Sequence, residues 1–236
     1  TMARKVEDIR NIAVCGHGSS GKTTLVDHLL VKSGAVNANP SVDEGTSICD
    51  FDEEEKHHKH SIEAVVTHFD HAACRFNVID TPGYPDLIGQ TVGALRGADT
   101  ALIAVDAHAG IKVNTRRVWE EAGKAGLGRI LCITKLDADN IEFAALIASM
   151  KEVFGNQCAL FNVPLGQGGD LQGVASVIDP PESADGALMD PKELSEPLME
   201  SIIEADEAVM EKYFEGEMPT KEQLSRLTVE AIKQGT

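Results

Sequence analysis

Residues 9–30 read IRNIAVCGHGSSGKTTLVDHLL, an apolar run that breaks into glycines and restarts with helical periodicity. Gly16, Gly21, Lys22 and Thr23 match the spacing G-x-x-x-x-G-K-[ST], and they stand between a strand and a helix, the context a phosphate-binding loop requires. In such a loop consecutive backbone N–H groups curl round an anion, and the following helix turns its positive end toward the same point. Glycine permits the close approach, the lysine adds a point charge, and the hydroxyl of Thr23 can serve a magnesium ion. The alternative is a Gly/Ser-rich turn that carries an incidental lysine. The strand on one side and the helix on the other favour a nucleoside phosphate ligand.

Working outward, this helix should end near Ser33–Gly34. A long polar stretch, NANPSVDEGTSICDFDEEEKHHKHSIEAVV (37–66), follows, of the kind that serves as a functional or mobile loop. Alternating apolar positions, Ile62, Ala64, Val66 and then Cys74, Phe76, Val78, predict two strands joined by a turn near Asp70–Ala72. The second strand runs into DTPGYPD (80–86), with Asp80 and Gly83 in a D-x-x-G spacing. A helix over 86–97, a strand over 100–106, a helix over 112–125, a strand over 129–134 and a helix over 141–155 follow in turn.

This alternation predicts an α/β fold with a mostly parallel sheet and helices on both faces, with ligands at the carboxyl ends of the strands. The loops at 16–23, 80–84 and 134–137 all fall there. Past Cys158, ALFNVP and GVASVID read as two short strands and PPESADGALMDPKELSEP as a turn-rich linker. A helix follows over 197–214, with Pro197 in its first turn and Leu198, Ile202, Ala205, Val209 and Tyr213 on one face. Thr220 and Gln223 form a capping box for a last helix that buries Leu224, Leu227 and Ala231. The expected division is a core over 1–157 and a small α+β insertion over 158–236.

Composition narrows the class. Aromatic residues are only 4% of the chain, so the core is aliphatic. Five cysteines without C-x-x-C spacing argue against a disulfide framework and a zinc site, and point to a reducing, cytoplasmic setting. No stretch approaches a membrane span, and TMARKVEDIRN lacks the apolar segment of a signal peptide. Residues 179–236 hold fifteen acidic and five basic residues, a balance of −10 within the chain's −17. That charge disfavours DNA or other free nucleic acid as a partner, and suits either a basic protein partner or a solvated surface.

The loop TKLD (134–137) bears on the base. A carboxylate at Asp137 accepts two hydrogen bonds from the N1–H and N2–H₂ edge of guanine, whereas adenine offers neither donor there. Lys135 can lay its alkyl stem along the purine face. Taken alone, the tetrapeptide reads equally well as a solvated loop; following a strand and two phosphate motifs, it favours guanine.

Together these residues resemble the GTP-binding domain of translational GTPases, and most closely the elongation factor G family. NIAVCGHGSSGKTT is similar to that family's first motif, DTPGYPD to its DTPGH and TKLD to its NKxD. FNVPLGQGGDLQGVASVID (161–179) and KYFEGEMPTKEQL (212–224) resemble parts of its inserted subdomain. The resemblance implies a P-loop NTPase fold, GTP and GDP as ligands, Mg²⁺ as cofactor, and the ribosome as partner, with the ribosomal stalk meeting the acidic insertion. It assigns phosphate and base binding to Gly18, Ser19, Ser20, Gly21, Lys22, Thr23, Thr24, Asp80, Gly83, Thr134, Lys135 and Asp137. Metal binding falls to Thr23, Ser61 and Asp80, and the catalytic positions are Lys22, Gly83 and Tyr84. Residues 39–62 become the first switch.

The chain also departs from the family pattern. Ser61 replaces the threonine of the first switch, and His60 replaces an apolar neighbour. Ser19 stands in place of an aspartate, Thr134 in place of the asparagine of NKxD, and Tyr84 in place of the histidine that positions water. The resemblance also implies a fifth motif after a further strand, and the chain stops at Gly235–Thr236 where that strand is expected, as a fragment would. These residues are compatible with slow GTP hydrolysis, with a GTP-occupancy switch, or with an ATP-dependent phosphotransferase. The last leaves DTPG and TKLD unexplained.

Overall fold

The apolar alternation around the glycine-rich turn folds as the central strand of a five-stranded sheet. Its strands are β1 (Ile9–Gly16), β2 (Val65–His71), β3 (Cys74–Asp80), β4 (Thr100–Asp106) and β5 (Gly128–Thr134), in the order β2-β3-β1-β4-β5. The computed structural model describes residues 4–155 and 158–234, so the Gly235–Thr236 end lies outside the described residues. The β1–β3, β1–β4 and β4–β5 pairs are parallel, and only the edge strand β2 runs antiparallel. Because β1, β3 and β5 point the same way, Gly16, Asp80 and Thr134 end at one rim of the sheet.

The pleat sorts the core into two layers. Ala13, Cys15, Ala101 and Ile103 face Ala94 and Leu95 of α3 (Ile88–Arg96) and Val118 and Ala122 of α4 (Val113–Lys124). Val14 and Val78 face the other way, against Val26 and Leu30 of α1 (Lys22–Lys32), with Phe69 and Cys49. Small residues under α3 and α4 let the helix backbones approach the sheet, which suits a core poor in aromatics. At the β2–β3 hairpin, Ala72 and Ala73 both hold positive φ (47° and 66°), the backbone that a two-residue turn needs to match strand twist. Alanines carry no turn signal, which is why the sequence places this turn only approximately.

The long polar stretch contains a short helix, α2 (Glu53–His58), where the sequence suggests a mobile loop. Asp52 and Glu55 form a capping box: the Asp52 carboxylate accepts from the Glu54 N–H at 2.8 Å, and Glu55 accepts from the Asp52 N–H at 3.1 Å. Glu55 is fully buried and also accepts the N–H groups of Ile62 and Glu63 at 2.8 and 3.1 Å. One carboxylate thus fixes both ends of the segment.

The chain divides into two compact units after Thr134. The second contains α5 (Phe143–Phe154), the antiparallel pair β6 (Asn162–Leu165) and β7 (Gly173–Ser176), α6 (Pro191–Ile203), α7 (Glu207–Phe214) and α8 (Lys221–Gln234). Val163, Ala175 and Val177 pack with Leu198, Ile202, Ile203, Val209 and Leu227. The single helix expected over 197–214 is two helices, and Pro197 lies inside α6 instead of opening it. Asp190 caps α6 through the Lys192 N–H at 2.8 Å with Pro191 in its first turn, and Asp206 breaks the run by capping α7. The Thr220–Gln223 capping box forms as the sequence predicts, with bonds of 2.8 and 3.2 Å. Among the described residues no helix is long and apolar enough to cross a membrane.

Ile103, fully buried between strand and helices, should lose about 2–5 kcal/mol of stability as Ile103→Ala. Val66, two-thirds exposed on β2, should stay within about 0.5 kcal/mol as Val66→Ala, measured by urea denaturation.

Candidate nucleotide-binding site

The chain leaves the sheet at Gly16, whose φ of 145° and proximity to β4 exclude a side chain: a Cβ there would stand 2.5 Å from the Ala104 carbonyl oxygen. Ser19 and Gly21 are left-handed (φ 59° and 80°), and such alternation turns successive N–H groups to one side. Lys22, only 6% exposed, opens α1 and donates from Nζ to the His17 carbonyl at 2.8 Å, spanning the loop. Burial lowers its pKa, and the nearby Asp80 opposes that shift. Thr134, at the end of β5, donates its hydroxyl to the Ser20 carbonyl at 2.8 Å, so a hydroxyl braces the phosphate loop where the resembled family has an amide.

The second motif is tied down at each residue. The Thr81 hydroxyl donates to the Val14 carbonyl at 2.8 Å, and Thr91 of α3 donates to the Pro82 carbonyl at 3.2 Å. Asn114 of α4 donates to the Gly83 carbonyl at 2.7 Å. Gly83 rests directly on the phosphate loop: a Cβ would collide with the Lys22 ammonium and stand 2.6 Å from the Gly18 nitrogen. The Tyr84 ring covers Gly18, 3.5 Å from where a Cβ would be, and its centroid lies 4.7 Å from that of His60.

Three segments meet at the start of α1. The Thr23 hydroxyl donates to Asp80 Oδ2 at 2.7 Å, the Ser61 hydroxyl donates to Asp50 at 2.7 Å, and the two hydroxyl oxygens stand 3.0 Å apart. Each hydroxyl thus has more than one oxygen within hydrogen-bond reach, and the groups form one cluster. Asp80 Oδ1 is buried without a hydrogen-bond partner among the described residues. Burial, reinforced by Asp50 and Asp27, pushes the Asp80 carboxyl up to about 7 against the opposing pull of Thr23 and Lys22. An all-oxygen set with a buried, unpartnered carboxylate oxygen suits a hard divalent cation.

Gly18, Ser19, Ser20, Gly21, Lys22, Thr23, Ser61, Asp80, Gly83, Tyr84 and Thr134 all belong to this first unit. Thr24, next to Thr23 on α1, is exposed. Lys135 and Asp137 belong to the second unit, both exposed, in a turn where Lys135 is left-handed (φ 56°) and its carbonyl accepts the Ala138 N–H at 3.1 Å. Gly168 (φ 58°) braces this turn by donating its N–H to the Leu136 carbonyl at 2.9 Å, and a Cβ there would stand 3.2 Å from Asp139 Oδ1.

Several supporting residues carry no mark in the sequence. Asp27 of α1 accepts the Ile48 N–H at 3.0 Å, and Gln90 of α3 accepts the Ala64 N–H at 2.8 Å while donating to the Ile62 carbonyl at 3.2 Å. Glu55 is legible as the partner of Asp52 in a D-x-x-E capping box. Asp27, Gln90 and Asn114 act through tertiary contacts that no local pattern announces.

A phosphate loop at the end of the central strand of a mostly parallel sheet, with D-x-x-G beside it, defines a P-loop NTPase fold. The model of the elongation factor Tu GTP binding domain matches residues 7–232, and the chain belongs to that family. An elongation factor G-like protein of Mycobacterium tuberculosis is 34% identical over 160 residues, covering 68% of this chain and 22% of that protein. The mitochondrial ribosome-releasing factor 2 of Bos taurus is 32% identical over 173 residues, covering 73% and 22%. Elongation factor G of Pseudothermotoga lettingae is 34% identical over 171 residues, covering 72% and 25%. The chain therefore spans about a quarter or less of the length of these relatives. A solved structure from Thermus thermophilus matches with a TM-score of 0.87 at 35% identity, over 96% of this chain and 36% of that one.

Asp80 gives the protein a pH signature in the absence of any divalent ion. Its folded pKa lies above the ordinary 3.8, so the folded state holds a proton that the unfolded state has released. This contribution is fully present below about pH 4 and is lost as pH rises toward and through about 7. In denaturation series across that window in EDTA, Asp80→Asn should remove this part of the pH dependence.

Proposed function

We propose that this chain is the guanine-nucleotide-binding domain of an elongation factor G-like translational GTPase, converting GTP to GDP and phosphate, slowly without the ribosome. The observation that carries this reading is the meeting of Thr23, Asp80 and Ser61: the phosphate loop, the second motif and the first switch share one oxygen cluster. A nucleotide at the phosphate loop is thereby linked to both segments that report its outer phosphate.

In this reading the N–H groups of Gly18 to Thr23 and the Lys22 ammonium hold the phosphates, with Ser19, Ser20 and Thr24 in the same stretch. Thr23, Ser61 and Asp80 would hold Mg²⁺, Asp80 through water. Bound there, the ion would neutralise phosphate charge that the Lys22 ammonium alone cannot balance. The Gly83 N–H meets the γ-phosphate and Tyr84 lies beside the attacking water. Thr134 braces the loop, Lys135 packs on the purine, and Asp137 reads guanine N1–H and N2–H₂. The assigned domains are a GTP-binding core over 1–157 and an inserted subdomain over 158–236.

The ribosome as partner is supported by the names of the relatives; the acidic 179–236 region suits a basic protein surface, and the family resemblance adds the ribosomal stalk as a partner of this insertion. A cytoplasmic setting completes the reading; the described cysteines are all free thiols. The tyrosine ring over Gly18 favours one second reading, an occupancy switch with negligible hydrolysis, because position 84 carries a phenol in place of an imidazole.

Phosphate release under multiple turnover, with and without ribosomes, tests the proposal on the full-length protein. Strong stimulation by ribosomes is expected, and tight GTP binding with no release in either condition would make the domain an occupancy switch. Lys22→Ala should abolish GTP binding, and retained micromolar affinity would refute the phosphate site. Asp137→Asn should shift preference toward xanthine nucleotides, whose C2 carbonyl suits an amide donor, as measured by competition of XTP against GTP.

A further inference from the structure

A buried threonine in the first turn of α3 uses its hydroxyl outside its own helix. Thr91, 1% exposed, donates to the Pro82 carbonyl at 3.2 Å. A helical threonine commonly returns its hydroxyl to a carbonyl three or four residues back. This one reaches nine residues back, into the D-x-x-G motif.

The contact fixes one peptide plane. The described peptide bonds are all trans, and a trans peptide carries its C=O and N–H on opposite edges. With the Pro82 carbonyl drawn to α3, the Gly83 N–H is turned away from that helix, on a residue that rests against Lys22 and Gly18. The next plane is held in the same way, because Asn114, also 1% exposed, donates to the Gly83 carbonyl at 2.7 Å. Just upstream, Thr81 gives both its hydroxyl and its N–H to the Val14 carbonyl. Glycine has the widest backbone freedom of any residue, so these anchors decide where the Gly83 N–H points.

We propose that Thr91 is a positioning residue that sets the preference for GTP over GDP: by holding the Pro82 carbonyl, its hydroxyl aims the Gly83 N–H at the outer phosphate. GDP lacks that phosphate, so the aim of this donor counts for the triphosphate alone. A donor fixed beforehand gives up little freedom when the phosphate arrives, which is the gain from preorganisation. This inference rests on the proposed GTPase reading, in which the Gly83 N–H meets the γ-phosphate, but the bond from Thr91 to Pro82 is independent of it.

Two measurements separate the contact from the binding. Within the 236 residues glycine follows proline only at Pro82–Gly83, so ¹³C-carbonyl proline combined with ¹⁵N glycine singles out this peptide by NMR. A Pro82→Ala control assigns its signal in the full-length protein. Thr91→Val keeps the side-chain shape and removes the hydroxyl; without nucleotide it should shift the Pro82 carbonyl resonance, and Thr91→Ser should bring it back. An unmoved resonance overturns the contact whether or not the protein binds GTP. In equilibrium binding with Mg²⁺ on the full-length protein, Thr91→Val should weaken GTP about three- to tenfold, the size of one net hydrogen bond, and leave GDP within about twofold. Thr91→Ser should restore the GTP affinity. Equal losses for GTP and GDP, or no rescue by serine, would overturn the positioning role. If the resonance shifts but the unmodified protein binds neither nucleotide, the GTPase reading fails, and the role of Thr91 in GTP preference fails with it.

Discussion

The site depends on one cluster of oxygens at the start of α1. Thr23 bonds Asp80, Ser61 bonds Asp50, and the two hydroxyls, from segments far apart in sequence, stand within hydrogen-bond distance at 3.0 Å. Asp80 keeps one buried oxygen unpaired among the described residues. Leaving buried acceptors in this state costs free energy that a well-packed core would otherwise avoid. Residues that break the rules of a satisfied interior concentrate where function demands it.

The rest of the first unit holds that arrangement in place. β1 supplies the Val14 carbonyl that grips Thr81, while α3 and α4 grip Pro82 and Gly83 through Thr91 and Asn114. The first switch is anchored by Asp27, Gln90 and Glu55, each receiving backbone N–H groups. Packing stabilises the sheet, whereas donor-to-acceptor matching decides the loops. That division accounts for a core built from small aliphatic residues and a rim built from hydroxyls, amides and carboxylates.

Much of this is legible in the sequence. The strand–helix alternation gives the parallel sheet, and the glycines at 16 and 21 stand where the backbone needs their freedom. What escapes it is of three kinds. Ala72–Ala73 turns the hairpin with residues that carry no turn preference, because two strands in register leave the connection no choice. The stripe over 197–214 hides a break, since Asp206 as an N-cap competes with an uninterrupted apolar face and wins locally. Asn114 and Gln90 carry their meaning only in three dimensions. Thr134 has no amide with which to brace the phosphate loop, and its hydroxyl meets the Ser20 carbonyl instead.

The anchoring of Glu55 has an electrostatic consequence. Its fully buried carboxylate is held by the neutral N–H groups of Asp52, Ile62 and Glu63, whereas Asp70 on β2 is held by the guanidinium groups of Arg4 and Arg75 at the surface. Mobile ions screen the second kind of contact strongly and the first kind hardly at all. The Glu55 anchor of the 52–63 segment is therefore less sensitive to ionic strength than the Asp70 contacts on β2.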